Sequence, residues 1–143
     1  MKPPVYAILM LMTGVFSGPL YASDHLSADE VRKLFSGNTV QCERREYGAA
    51  HTYAAHTLNA FAEKSINRYA QDGTLDEQLG DRHRTGKWRV DDNGDLCVQL
   101  AGREERCAPV TRQGDSYLRT IENRKGRNLA RIRYTSFTPG IGK

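Results

Sequence analysis

The absences in this chain narrow it first. Beyond residue 22 there is no apolar run of the roughly 20 residues that a membrane-spanning helix needs. Only three cysteines are present and none stands in a Cys-x-x-Cys pair, so neither a zinc ribbon nor a thioredoxin-type redox motif is written here. There is no nucleophile elbow, phosphate-binding loop, dinucleotide fingerprint or His-Glu-x-x-His pattern, which sets aside the enzyme classes that depend on them. No repeat of fixed period and no low-complexity tract occurs.

The first residues read as a processing signal. Met1 and Lys2 give a short positive start, Val5 to Phe16 is almost wholly apolar, and Gly18-Pro19 breaks the run before Leu20-Tyr21-Ala22. That three-part layout is a secretory signal peptide, expected to be cleaved after Ala22. Residues 1–22 are therefore assigned to the signal and 23–143 to one domain, placed in a periplasm or outside the cell with no transmembrane segment.

The most informative stretch runs from Gly86 to Cys107. Gly86-Lys87-Trp88-Arg89-Val90, the turn Asp91-Asp92-Asn93-Gly94 and Leu96 to Leu100 read as strand, tight turn and strand. A second hairpin centred on Gly102 sets Cys97 opposite Cys107. Opposed Cβ atoms in such a pair lie about 4.5–5.5 Å apart, close enough for a cross-strand disulfide after slight adjustment. An exported chain would oxidise it, and the bridge would hold a register that a one-residue slip would invert. The same register sets Arg106 opposite Val98, on the face assigned to the core; a bulge near Pro109 would relieve that conflict. Cys42 is left over and reads as a buried free thiol.

Elsewhere the pattern continues. Ser27 and Glu30 form a capping box, Leu26 and Val31 sit at staple positions, and Val31, Leu34 and Phe35 make one apolar stripe that Gly37 ends. This predicts a short helix over 28–36. Strands are expected over 38–46, 65–70, 74–79, 85–90, 96–100, 106–110, 116–122 and 128–137, with loops at 80–84 and 112–115. Residues 47–64 are ambiguous, Ala-rich yet carrying Tyr53, Thr57 and Phe61; they are expected to be a loop with some helix leading into a strand near Leu58. Short strands with turns between them indicate an antiparallel meander of seven to eight strands, closed into a small barrel or curled sheet.

The features run in an order that resembles a family of small exported proteobacterial proteins catalogued only as a domain of unknown function. The matching residues are Leu26 to Glu30, Phe35-Ser36-Gly37-Asn38-Thr39-Val40, Gln71-Asp72-Gly73-Thr74, Gly86-Lys87-Trp88-Arg89-Val90, Asp92 to Cys97, Cys107 and Gly114-Asp115-Ser116-Tyr117. They span most of residues 26–120, and the stretch 47–60 departs from the pattern. The resemblance implies one compact β domain with one helix, and brings no activity and no catalytic residues.

Charge is unevenly spread. Residues 23–102 hold 10 basic and 13 acidic side chains, whereas residues 103–143 hold 10 basic and 4 acidic. Arg119, Arg131 and Arg133 fall in strands and are expected to form a basic outer face that a polyanion could meet. Trp88, Leu96, Val98 and Tyr134 are expected to fill the core, or to line a small apolar pocket if the barrel is wide enough. His51 and His56 are five apart, off both helical and strand spacing, and the acidic residues sit mostly in turns, so no metal, cofactor or catalytic group is assigned. The favoured reading is a non-enzymatic exported binding or interaction module. The alternative is a structural or envelope-stress protein that uses its Arg-rich face on an envelope protein; a hydrolase stands third.

Overall fold

The computed structural model describes residues 24–46 and 63–140. The signal segment 1–22, residues 47–62 of the ambiguous stretch 47–64, His51 and His56 therefore lie outside the described residues, while residues 63 and 64 are in a strand. Among the described residues one helix, α1 (Ala28–Phe35), precedes nine strands. These are β1 (Asn38–Glu46), β2 (Glu63–Tyr69), β3 (Thr74–Leu79), β4 (Arg82–Val90), β5 (Leu96–Leu100), β6 (Arg106–Ala108), β7 (Val110–Gln113), β8 (Ser116–Glu122) and β9 (Asn128–Pro139). All pairings are antiparallel, in the order β6-β5-β4-β3-β2-β1-β9-β8-β7.

The fold is a nearly closed barrel, and Pro109 explains the strand that exceeds expectation. Proline has no N–H to give a ladder. At Pro109 the chain leaves β5, which β6 pairs with, and joins β8, which β7 pairs with. One extended segment thus forms both edges of the sheet and brings them together. Two loops expected from the sequence are shorter than read. β4 starts at Arg82, directly after a turn at Gly80 with φ of 57°, and β7 runs through Gln113 before the Gly114-Asp115 turn. Residues 24–26 cover the open edge of β7: Leu26 N donates to Val110 O at 2.9 Å and Arg112 N to Asp24 O at 2.8 Å. A covered edge cannot recruit another strand.

Register fixes which side chains face inward. In β5, Leu96, Val98 and Leu100 oppose Val90, Trp88 and Gly86 on the inner face, so Cys97 points outward. Cys97 pairs with Cys107 and is disulfide-bonded to it. Gly86 is required by close approach, not by a turn. A Cβ there would lie 2.2 Å from the Gln99 carbonyl oxygen and 3.0 Å from Leu100 Cα, both backbone atoms. Gly86→Ala is therefore expected to cost about 1–3 kcal/mol, the range for overpacking. A lower urea midpoint at unchanged slope would show it; a wild-type midpoint would mean that the β4–β5 ladder yields freely.

Helix α1 stops one end of the barrel. Glu30 N donates to Ser27 Oγ at 3.3 Å and Ser27 N to Glu30 Oε2 at 2.8 Å, completing the capping box. The hydrogen bonds from Ser27 hold the Glu30 carboxyl below its usual range. Ser36 caps the other end, so the helix is one residue shorter than expected, and Gly37 follows with φ of 73°. Val31 and Phe35 are fully buried. The Phe35 ring meets Tyr69, Tyr134 and Phe137 edge-on at centroid distances of 4.9, 5.0 and 5.4 Å. Trp88 joins this cluster through Tyr69, 5.6 Å away, and its Nε1 donates to Ala70 O at 2.8 Å.

Candidate functional site

The barrel interior changes character along its axis. Near α1 it is packed with Val31, Phe35, Val40, Tyr69, Leu75, Leu96 and Tyr134. Towards the other end, inward positions of the same strands turn polar and then charged. Strict alternation produces this: Arg44 follows Val40 and Cys42 on one face of β1, Glu77 lies between Leu75 and Leu79 on β3, and Arg119 between Tyr117 and Ile121 on β8. β1 ends at Glu46 and β9 begins at Asn128 at this charged end, opposite the helix.

Glu77 is 2 % exposed and the only buried carboxylate among the described residues. It pairs with Arg84 Nη2 and, at 3.9 Å, with Arg44 Nη2. Arg44 also reaches Glu46 at 3.6 Å. Arg119, likewise 2 % exposed, is placed differently. Its Nη2 donates to the Arg106 carbonyl across the β6–β8 seam, its Nε has no hydrogen-bond partner, and no carboxylate among the described residues lies within ion-pair distance. Leaving part of a buried charge uncompensated is costly.

Arg119 lies in the wall of a cavity of about 370 Å³ at this end. Val98, Leu100, Ile121, Leu129 and Ala130 supply its apolar side; Arg44, Arg103 and Arg106, with Glu46 and Glu104, complete the lining. Four arginines against two glutamates leave it positive. Arg106, in tension with an apolar core on sequence grounds, remains opposite Val98 on the inner face, because this part of the interior is not apolar.

The sequence-assigned residues divide accordingly. Of Trp88, Leu96, Val98 and Tyr134, only Val98 lines this cavity; the other three are buried in the packed cluster beneath the helix, where aromatic rings fill the space a pocket would need. Arg119 does not belong to an outer basic face: it shares the inner face of β8 with Tyr117 and Ile121. Arg131 and Arg133 do point outward, half-buried. Arg133 lies 3.4 Å from Glu43, and elsewhere the outer wall also carries both signs, with Arg68 3.2 Å from Asp76 and Arg89 bonded to Glu105 through Nε at 3.0 Å. Arg44, Glu77, Arg84 and Arg106 belong to the site although sequence reasoning did not select them; their signal was the period-two face they share with apolar neighbours.

Titration behaviour follows burial. The Cys42 thiol is pushed up to about 12 by burial, so it remains protonated and is a poor nucleophile or ligand. Burial also raises the phenols of Tyr69 and Tyr134, the positive Arg119 opposing the rise in both. Asp95 is raised by burial and by Asp91, but it sits at the helix end, where Asp91 accepts hydrogen bonds from the turn N–H groups of Asn93 and Asp95. Asp91 also lies near Cys97 and Cys107, whose sulfurs are bonded to each other and offer no thiolate to a metal. No helix among the described residues is long and apolar enough to cross a membrane.

No protein-family model, curated protein or solved structure matches this chain.

Proposed function

We propose that this protein is a non-enzymatic binding module that takes a small molecule into the charged end of its barrel. The observation that carries the reading is the cavity opposite α1, where an apolar wall and converging polar groups share one space. Its volume falls within the range typical of ligand sites, about 300–1,000 Å³, and such sites combine apolar lining with a few fixed polar groups. The non-enzymatic part rests on chemistry: Glu77 is held by two arginines, and the Cys42 thiol stays protonated. An exported setting, periplasmic or secreted, belongs to the same reading. It is supported by the disulfide, the signal-like start and the resemblance to small exported proteobacterial proteins.

Native mass spectrometry of the protein purified from its own host tests this. A discrete adduct of small-molecule mass is expected, and it should disappear when collision energy is raised below the unfolding threshold. A spectrum of bare protein, together with no thermal shift across a library of small anionic, neutral and cationic compounds, would overturn the reading. The envelope-protein alternative rests on Arg131 and Arg133, and the pairing of Arg133 with Glu43 and the mixed charge of the outer wall favour it less.

A further inference from the structure

The charges inside the barrel do not balance, and the imbalance lies at one residue. Arg44 and Arg84 share Glu77, whereas Arg119 has only neutral partners, the Arg106 carbonyl and the Tyr134 phenol, and no carboxylate among the described residues. Its guanidinium is a planar fork, suited to grip two oxygens of one anion. Nη2 is engaged by Arg106 O, Nε is buried without a hydrogen-bond partner, and Arg119 lines the cavity together with Arg44, Arg103 and Arg106. The same cavity is lined by Val98, Leu100, Ile121, Leu129 and Ala130, which offer nothing to a hydrated ion. A polymer is a poor fit, because Arg119, 2 % exposed, lies on the inner face of β8 and not on the outer wall along which an extended chain would run.

Resting on the binding reading above, we propose that the ligand is a small amphiphilic oxyanion, a carboxylate or phosphate monoester whose head seats on Arg119 and whose apolar body lies against Val98, Leu100, Ile121 and Leu129. The bound anion supplies the counter-charge that Arg119 lacks. Burial of the ion pair makes the bond strong only if the head presents paired oxygens, so the site selects for oxyanions over halides. The apolar wall selects for a hydrocarbon body over a bare inorganic ion.

The test uses titration calorimetry of the full chain with four probes: octanoate, octyl phosphate, 1-octanol and inorganic phosphate. At least one octyl anion is expected to bind at least tenfold more tightly than both octanol and inorganic phosphate. Octanoate against octyl phosphate tells a fatty carboxylate from a phosphate head. Arg119→Gln should weaken the octyl anion on the order of ten- to a hundredfold, the loss of a charged hydrogen-bond pair, and leave octanol unchanged. Near-UV circular dichroism checks its fold. Arg119→Lys, which keeps the charge and loses the fork, should fall between the two, and it carries the test if the Gln variant does not fold.

Octanol binding as tightly as the octyl anions would overturn the anionic class and leave the cavity reading standing. Inorganic phosphate binding equally well would overturn the amphiphile. Unchanged anion affinity in a folded Arg119→Gln would remove Arg119 from the site. If no probe binds, the proposal fails; a co-purifying adduct in the native spectrum would then keep the binding function with a different ligand class.

Discussion

Replacing Phe35 by alanine is expected to lower stability by about 3–5 kcal/mol, the range for deleting a buried aromatic side chain. The cause lies in the length of α1. Eight residues are too few to hold helical structure alone in water, so the helix exists through what its apolar stripe buries. That stripe has two fully buried members, Val31 and Phe35, and Phe35 is the larger. Its ring meets three others edge-on, from β2 and β9, the favoured arrangement for aromatic quadrupoles. Truncation therefore removes the ring's burial and three ring contacts, and it uncovers the tops of Tyr69 and Tyr134. Urea unfolding followed by Trp88 fluorescence would read the loss, because Trp88 packs on Tyr69 in the same cluster. Phe35→Leu keeps most of the volume and should cost less than half as much. A loss below 1 kcal/mol for the alanine variant would mean that α1 does not stop the barrel.

The helix and the meander were legible because each local signal was redundant. The capping box, the staple and Gly37 all point to the same eight or nine residues, and Asn93-Gly94 and Gly73 place turns between segments that alternate in character. A small barrel or curled sheet was legible, but the way its edges meet was not, because Pro109 reads equally as a bulge, an edge or a break until β8 is known to approach β6. The site was missed for a different reason. Arginine in a strand was assigned outward on solvation grounds, although Arg119 alternates in step with Tyr117 and Ile121, not with Leu118 and Thr120. Arg44 and Glu77 follow the same rule with Val40, Cys42, Leu75 and Leu79. Period carried more information than polarity here. A barrel interior need not be apolar throughout, and where it is not, the alternation survives while the composition changes. The resulting surface is less one-sided than the sequence suggested, because several basic side chains of the C-terminal third line the cavity instead of the outer wall.

Glu77 is where that interior should be most sensitive. Glu77→Gln keeps the shape and removes the only buried negative charge among the described residues, leaving Arg84 and Arg44 facing each other near Arg119. Breaking a buried pair by removing one partner costs about 3–5 kcal/mol, since the remaining charge is desolvated without compensation. The sign of the second step separates this from simple loss of packing. Glu77→Gln combined with Arg84→Met should recover much of the deficit, because it removes a cation that no longer has a counter-charge; the two effects must therefore be non-additive. Denaturant midpoints for the two single variants and the double variant give the coupling directly. A double variant no better than the worse single one would show that Glu77 acts by filling space, not by charge. The same variant bears on the ligand. With Glu77 neutralised, Arg44 in the cavity wall loses that counter-charge and the field in the cavity becomes more positive, so an octyl anion should bind the folded Glu77→Gln protein more tightly and raise its midpoint by more than it raises the wild type's. Stability and anion affinity would then move in opposite directions at one residue, which is the behaviour of a barrel whose internal charges are left for a ligand to complete.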